Sequence, residues 1–355
     1  MENTYDVVVV GGGPAGLSGA KIIARMRRKV LVVDAGAPRN APAEGVHNYL
    51  YAEGATPSAL AATGRAEALA YGVDLVDGAA VRAVVVPDPQ PGAARFRIDV
   101  RAGNGSVSTV GARRVLLATG LVDVLPDIDG LEQRWGVDVL HCPFCHGWEV
   151  RDQAIGVVGS GPMAIHQVLV FRQLSEDIVY FQHTAPDSSP EQAEQLAALG
   201  VQHVVGRVAA VETTGDALSG VRLADGRVVA RQAVAIATIV AGREDLLADL
   251  GLSMSELQTG GAVLGRYLAA DPQGATATPG VWAAGNVSSP MAQVITSAAA
   301  GATAGSTIHM DLITEDVALA VAAHRESVGV RAMSSNGGRP AVPYWDHREA
   351  RMVTR

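Results

Sequence analysis

The chain has 355 residues, of which 48% are hydrophobic and 18% are charged, and its formal net charge is −8 at pH 7. This length is enough for two domains of ordinary size, and the composition excludes a chain that is disordered throughout. The negative charge argues against a nucleic-acid-binding protein, which would need a basic surface. Glu2 and Asp6 stand where a secretory signal would carry basic residues, so we expect no signal peptide.

The first 34 residues are typical of a dinucleotide-binding βαβ unit. A continuous apolar run at 5–10 predicts a buried strand, and a glycine-rich turn, an apolar helix to about residue 26 and a second strand at 30–33 follow it. The N-terminus of such a helix offers free N–H groups to phosphates. Asp34 ends the second strand, where an acid binds a ribose hydroxyl. The candidate residues of the turn are Gly11, Gly13, Pro14, Ala15 and Gly16.

A long irregular loop rich in Gly, Pro and Asn follows at 36–54. Loops of this kind beside a nucleotide motif are often functional. We take Asn40, His47 and Asn48 from it as candidate cofactor-binding residues. Beyond it, we expect a helix at 57–71, strands at 73–86 and 95–100, and a buried strand that ends in the small residues Ala118, Thr119 and Gly120. Such small residues let the backbone approach a cofactor closely.

Both cysteines of the chain lie in the stretch 141–149, HCPFCHGWE. A Cys-x-x-Cys pair indicates redox chemistry or a metal. Structural zinc usually takes two separated ligand pairs, and four ligands within six residues can hardly converge on one tetrahedron, so we predict no metal here. We therefore interpret Cys142 and Cys145 as a redox-active pair, and the otherwise cysteine-free chain suits a reducing, cytoplasmic compartment. His146 can take a thiol proton and return it near neutral pH, which makes it a third candidate catalytic residue.

A second βαβ pattern follows the cysteines, with a strand at 154–158, a G-x-G-x-x-A turn at 159–164, a helix at 165–174 and a strand at 178–181. Further on we predict a helix at 191–199 and strands at 201–211, 218–223, 228–239 and 281–286. Residues 291–310 contain no Asp, Glu, Lys or Arg, which by length alone would suit a membrane span. Because Ala, Gly, Ser and Thr dominate this stretch, we expect a buried helix and no membrane segment.

The order and spacing of these motifs resemble the FAD-dependent disulfide oxidoreductases of the low-molecular-weight thioredoxin reductase type, up to about residue 315. The resemblance implies an α/β fold of two Rossmann-like domains, with FAD bound by residues 1–121 plus 240–316. It also implies a pyridine-nucleotide-type domain at 122–239, a C-terminal extension at 317–355 and a homodimer. Cys145 matches the flavin-facing cysteine and Cys142 the cysteine that exchanges with substrate. Matches to flavin-contacting positions are Asn48, Gly285, Asn286 (an Asp in the family), Gln293 and Val294.

Two departures from thioredoxin reductases concern the direction of electron flow. The stretch 179–184 has neither the Arg pair that holds NADPH nor an acid for NADH, so NADPH binding is doubtful unless His183 and a distant Arg replace that pair. His146 stands where the reductases carry an Asp. The pattern CPFCHGWE is similar to the dithiol oxidases of gliotoxin and holomycin biosynthesis, which oxidise a small-molecule dithiol and pass the electrons through FAD to O2.

We therefore predict a dithiol oxidase of natural-product biosynthesis, with a small dithiol and O2 as partners. Two alternatives stay open, an NADPH-dependent thioredoxin reductase with thioredoxin as partner, and a non-catalytic FAD-binding or redox-sensing protein. The segment beyond residue 316 begins with a predicted helix at 317–327 and ends in the aromatic cluster 342–348. Either this tail packs at a dimer contact or stays disordered, or it forms a lid over the flavin or the dithiol pocket.

Overall fold

The computed structural model describes residues 3–259, 261–327, 344–346 and 351–353. The helices are α1 Pro14–Arg25, α2 Pro57–Ala70, α3 Leu131–Arg134, α4 Pro143–His146, α5 Ala164–Phe171, α6 Pro190–Ala198 and α7 Val294–Ser327, with 3-10 turns at Trp148–Val150 and Ala248–Leu250. The strands are β1 Asn3–Val10, β2 Val30–Asp34, β3 Asp74–Val85, β4 Phe96–Ala102, β5 Val107–Leu117, β6 Leu121–Val124, β7 Val139–Leu140, β8 Ile155–Val158, β9 Ile178–Phe181, β10 Gln202–Val204, β11 Val208–Thr214, β12 Ala217–Leu223, β13 Val228–Ala230, β14 Ala233–Ile236, β15 Ile239–Gly242, β16 Met254–Thr259, β17 Ala262–Leu268, β18 Val281–Ala283, β19 Tyr344–Asp346 and β20 Arg351–Val353.

The first lobe is built on a parallel sheet in the order β3-β2-β1-β5-β18. Val9 of the central strand β1 lies opposite Val32 of β2 and Leu116 of β5. The valines of β1 are buried on both faces because one face packs against α1 and α7, and the other against an antiparallel layer. The long strands β3 and β5 form that layer with β4, since each pairs with a parallel neighbour at one end and with β4 at the other.

Helix α7 is a single helix of 34 residues that packs closely along α1. Glycines permit this approach, because a Cβ at Gly301 would collide with the carbonyl group of Ala15 and one at Gly305 would come within 2.8 Å of the Gly19 oxygen. Residues 317–327 are helical as predicted, but they are the last turns of α7 and not a separate helix. No helix among the described residues combines the length and apolar character needed to cross a membrane.

The second lobe repeats this plan with a parallel sheet in the order β10-β9-β8-β14-β7 and an antiparallel layer of β11, β12 and β13. The predicted strand 201–211 is split into β10 and β11 at Gly206, whose φ is +132°. The predicted strand 228–239 is also wrong as one element, since β13, β14 and β15 join three different sheets. The α/β prediction with two βαβ units is confirmed.

Strands β6 and β15 connect the two lobes and pair with each other in antiparallel register, with Asp123 opposite Val240. They continue into a four-stranded sheet with β16 and β17. Near the C-terminus, β19 pairs with β20. Most of the tail that carries the aromatic cluster, namely 328–343, 347–350 and 354–355, lies outside the described residues. Its predicted roles, as a lid over the pocket or as a dimer-packing or disordered tail, therefore stay predictions.

Candidate active site

The glycine turn of the first lobe and the cysteine pair of the second line the same cavity, which has a volume of about 1750 Å³. Single ligand pockets commonly measure about 300–1,000 Å³, so this cavity has room for a dinucleotide and a second molecule. The predicted site residues that line it are Gly11, Gly13, Pro14, Ala15, Asp34, Asn40, His47, Ala118, Thr119, Gly120, Cys142, Cys145, His146, Gly285, Asn286, Gln293 and Val294.

The turn before α1 has the shape of a phosphate cradle. Gly11 has φ +108°, and a Cβ on it would collide with the Ala118 carbonyl. Gly16 lies behind the cavity wall, where a Cβ would collide with the Gly11 oxygen, so its role is close packing of helix on strand. Helix α1 begins at Pro14 without a side-chain cap, which leaves its first N–H groups free for an anion. The residues present therefore fit the pyrophosphate of the FAD that the resemblance implies.

Asp34 lies at the end of β2 with part of its hydrogen-bonding capacity in use. Its Oδ1 accepts from the Gly36 N–H at 3.2 Å, and its Oδ2 accepts from Arg65 at 3.2 Å. A carboxylate has about four acceptor positions, so two remain for a ribose hydroxyl. The predicted role of Asp34 is compatible with this geometry.

At the far end of the cavity, Asn286 orders the turn that precedes α7. Its side-chain amide donates to the carbonyls of Ser289, Pro290 and Ala292, at 3.3, 3.2 and 2.8 Å. An Asp, which the family has here, could not make these bonds when ionised because it only accepts. These hydrogen bonds explain why this chain has Asn at position 286 where the family has Asp. Contacts of Gly285, Asn286, Gln293 and Val294 with a flavin stay predictions.

Cys142 and Cys145 are joined by a disulfide across the start of α4. Within the described residues, no group of three or more His, Cys, Asp or Glu side chains is arranged to hold a metal. Burial lowers the pKa of His146 below its usual value, while the charge of Glu149 opposes that shift. The imidazole is therefore neutral at pH 7 and can accept a thiol proton. Exposed apolar side chains line the cavities that the cysteines also line. Leu50, Tyr51, Phe144 and Met291 belong to the main cavity, and Phe144 and Trp148 to the smaller pocket beside it.

The loop 36–54 reaches across to the cysteine segment. Asn48 donates its side-chain amide to the Phe144 carbonyl at 2.6 Å. Asn48 and Cys145 line a smaller pocket of about 250 Å³ next to the main cavity. Asn48 therefore holds the backbone between the two cysteines, a role that its match to a flavin-contacting residue does not include.

His47 has partners that the sequence did not indicate. Its Nδ1 lies 2.6 Å from Glu53 Oε1, and its Nε2 lies 3.4 Å from Glu149 Oε1. Glu53 also accepts from the Asn48 N–H at 3.0 Å, and the hydrogen bond with His47 lowers the pKa of the Glu53 carboxyl. The same histidine lines the main cavity, so it connects the cavity, the loop and the cysteine segment.

A second polar cluster lies in the cavity wall where the lobes connect. Arg39 binds the Asp123 carboxylate in a bidentate ion pair at 2.6 and 2.5 Å, and Thr238 donates to it at 2.6 Å. Burial alone would raise the pKa of Asp123, but the bonds and charge of Arg39 lower it overall. The adjacent His141, which precedes Cys142, has its pKa lowered by burial and by Arg39. Sequence reasoning missed Arg39, Asp123 and Thr238 because no motif marks them.

The second glycine turn presents no cation from the strand that follows it. His183 accepts the Val208 N–H at its Nδ1, 3.0 Å away, and burial and the charge of Arg207 lower the pKa of its imidazole. Gln182 donates to Asp187 at 2.7 Å. A neutral His183 cannot pair with a phosphate charge, and Arg207 is the nearby cation that could.

The comparisons with known proteins agree with this architecture. A family model described as pyridine nucleotide-disulphide oxidoreductase matches residues 5–307. A probable thioredoxin reductase of Arthroderma benhamiae is 33% identical over 180 residues, which are 51% of this chain and 44% of that protein. The chain thus matches less than half of the length of that relative.

Two other proteins match over most of their length. The thioredoxin reductase sirT of Leptosphaeria maculans is 28% identical over 346 residues, 88% of this chain and 96% of that protein. The crystal structure of HlmI superimposes with a TM-score of 0.81 at 41% identity, and the match covers 92% of this chain and 98% of HlmI. The resemblance to thioredoxin reductases inferred from the motifs is confirmed, and the chain belongs to the pyridine nucleotide-disulphide oxidoreductase family.

Proposed function

We propose that this protein is an FAD-dependent dithiol oxidase, which closes a disulfide in a small-molecule dithiol and uses O2 as the terminal acceptor. The observation that carries the proposal is the position of the Cys142–Cys145 disulfide in one cavity with the dinucleotide cradle. The exposed apolar side chains in the lining of these cavities and the neutral imidazole of His146 suit an apolar dithiol that must lose protons. The overall reaction converts one dithiol and one O2 into one disulfide and one H2O2.

In this mechanism a substrate thiol, deprotonated by His146, attacks the sulfur of Cys142. The Cys142–Cys145 bond breaks and a mixed disulfide forms, and the second substrate thiol then displaces Cys142. The substrate leaves as a disulfide, and both cysteines are left reduced. FAD would supply the acceptor for the two electrons of this dithiol, so that the Cys142–Cys145 disulfide forms again, and would provide their route to O2. The turn at 11–16, Asp34 and the residues before α7 would hold it.

The test is a peroxide assay on the purified protein in air with dithiothreitol. We expect one H2O2 for each dithiol oxidised, and only background peroxide from Cys142→Ser and Cys145→Ser. His146→Gln should lower the rate by about a hundredfold, the low end of the range for general acid–base catalysis. His203→Gln is the matched control, because His203 is exposed on β10 and stacks on Tyr180, and neither residue lines the cavity. Absence of peroxide from the parent protein would reject the proposal.

A second candidate is the reverse electron flow, from NADPH to thioredoxin. The names of the relatives favour it, and Arg207 beside His183 is a cation that could meet a 2′-phosphate. Mixing the protein with NADPH under nitrogen separates the two candidates. If NADPH bleaches the flavin rapidly in the parent protein but not in Arg207→Ala, the reductase is supported. If the flavin of the parent protein keeps its yellow spectrum, the oxidase is supported.

A further inference from the structure

Residues 46–55 of the loop after β2 form a small hairpin. Its base is joined where the Val46 N–H donates to the Ala55 carbonyl at 2.8 Å. Its tip is a turn of four residues, closed by a 2.9 Å hydrogen bond from the Ala52 N–H to the Tyr49 carbonyl. Because backbone hydrogen bonds close both ends, the hairpin holds the residues of its tip in a defined position.

Tyr51 is the third residue of this turn and has a left-handed backbone, with φ +67°. Gly or Asn usually fills such a position, because a bulky residue is strained there. Burial does not offset the strain, since Tyr51 is fully exposed and the neighbouring Leu50 is 80% exposed. Both residues line the main cavity. Strained residues cluster at active sites and ligand clamps, so this position favours a role of the Tyr51 ring in binding a molecule in the cavity.

Two further exposed apolar side chains line the same cavity from backbones that hydrogen bonds also fix. Met291 lies in the turn before α7, where the Asn286 amide donates to the carbonyls on either side of it, at 3.2 and 2.8 Å. Phe144 lies between the cysteines, and its carbonyl accepts from the Asn48 amide at 2.6 Å. Three separate segments of the chain therefore contribute apolar side chains to the cavity that the disulfide lines.

We propose that Leu50, Tyr51, Phe144 and Met291 form a subsite that selects dithiols with an apolar body, and that Tyr51 is a specificity-determining residue. The inference rests on the proposed function only for the identity of the bound molecule as a dithiol. A small molecule fits this surface better than a protein does, because the side chains line a concave cavity and not a flat face. An apolar group of the substrate would remove these side chains from water, which favours binding.

The experiment measures the binding of two cyclic disulfides to the purified protein in its disulfide form, by isothermal titration calorimetry. One is 1,4-dihydro-2,3-benzodithiine, the disulfide of 1,2-bis(mercaptomethyl)benzene, and the other is oxidised dithiothreitol. Both contain a six-membered disulfide ring, but the first carries a benzene ring and the second carries two hydroxyl groups. We expect the parent protein to bind the benzodithiine about tenfold more tightly, the low end of the effect of an added apolar group in a pocket. Equal dissociation constants would overturn the inference.

Tyr51→Asn should remove this preference, since Asn accepts the left-handed backbone and lacks the ring. We expect the dissociation constant of the benzodithiine to rise about tenfold, and that of oxidised dithiothreitol to change by less than about twofold. Tyr51→Phe, which keeps the ring, should bind both compounds as the parent does. The midpoint of denaturant unfolding should not fall in Tyr51→Asn, because the strain is relieved. A lower midpoint with unchanged affinities would mean that the ring has only a structural role.

Met291→Ser alters a different segment of the subsite and should also weaken benzodithiine binding by about tenfold. Tyr71→Asn is the matched control, because Tyr71 is an exposed tyrosine at the end of α2 and does not line the cavity. Its affinities should equal those of the parent. If Tyr51→Asn or Met291→Ser elutes as a smaller species in size-exclusion chromatography with unchanged affinities, a second copy of the chain covers these side chains and the inference is wrong. The binding measurement involves no electron transfer, so its failure is distinct from a negative peroxide assay.

Discussion

The side-chain amide of Asn48 donates to the carbonyl of Phe144 over 2.6 Å and so ties a loop of the first lobe to the residue between the two cysteines. Asn48 has φ +60°, a backbone conformation that Asn adopts more readily than most residues. The same residue therefore provides a tight turn in the loop and a donor for the cysteine segment.

Two substitutions of Asn48 separate these contributions. Asn48→Gly keeps the backbone conformation and loses the donor, so we expect a loss of about 1 kcal/mol in the free energy of unfolding. Asn48→Ala adds the strain of a Cβ at positive φ, about 1 kcal/mol more. Denaturant unfolding measures both. Hydrogen exchange of the amides of Cys145 and His146 should be faster in both variants. Equal exchange rates in parent and variants would show that the Asn48–Phe144 hydrogen bond does not stabilise the cysteine segment.

Asn286→Asp tests why this chain departs from the family at the turn before α7. The new carboxylate would face the carbonyls that now accept from the amide, so its pKa should rise above the unfolded value of about 3.9. We expect about 2 kcal/mol of destabilisation at pH 7. Because the pKa of the new carboxyl is higher in the folded protein than in the unfolded chain, the destabilisation decreases as pH falls through the folded value. Melting curves at pH 7 and pH 4.5 check this, with Asn286→Ala as the control that should show no such recovery.

Asp123→Asn should break the ion pair with Arg39 at the lobe connection. The Asp123 side chain is only 6% exposed, so we expect a loss of about 3 kcal/mol from the unpaired guanidinium. Because the pKa of Asp123 is lowered, its contribution is complete above the unfolded value of about 3.9 and disappears as pH falls through the folded value. The difference between parent and variant should thus be constant from pH 8 to 5 and shrink below pH 4. Thr238→Val, which removes one neutral donor, should cost about 1 kcal/mol.

Gly301→Ala should disturb the contact between α1 and α7. The added methyl would collide with the Ala15 carbonyl, and overpacking of this kind costs about 1–3 kcal/mol. We expect Gly301→Ala to lower the free energy of unfolding by about 3 kcal/mol and Gly305→Ala by about 1 kcal/mol. Because Ala15 belongs to the phosphate turn, Gly301→Ala should also retain less FAD, measured by the flavin absorbance of the purified protein. Thr303→Ala, at an exposed position of the same helix, should match the parent in both measurements.

The sequence predicted the two glycine turns and the cysteine pair because each is a local signal, with the chemistry set by a few adjacent residues. It could not predict the bond from Asn48 to Phe144 or the ion pair of Arg39 with Asp123, whose partners are 96 and 84 residues apart. The boundary near residue 316 came from the resemblance to the family, and it falls inside α7, at the acids Asp311, Glu315 and Asp316. Those acids belong to the helix, and their partners are arginines on a distant strand.

The length of α7 has a consequence for how far the chain can be shortened. Arg113 and Arg114 near the end of β5 are 9% and 3% exposed, and their guanidinium groups are neutralised by Asp311, Glu315 and Asp316 of this helix. The match to the family model stops at residue 307, before any of these acids. A truncation designed on that match would remove both carboxylates that pair with Arg114 and would leave Arg113 with Asp6 alone. The smallest fragment expected to remain folded therefore extends to Asp316.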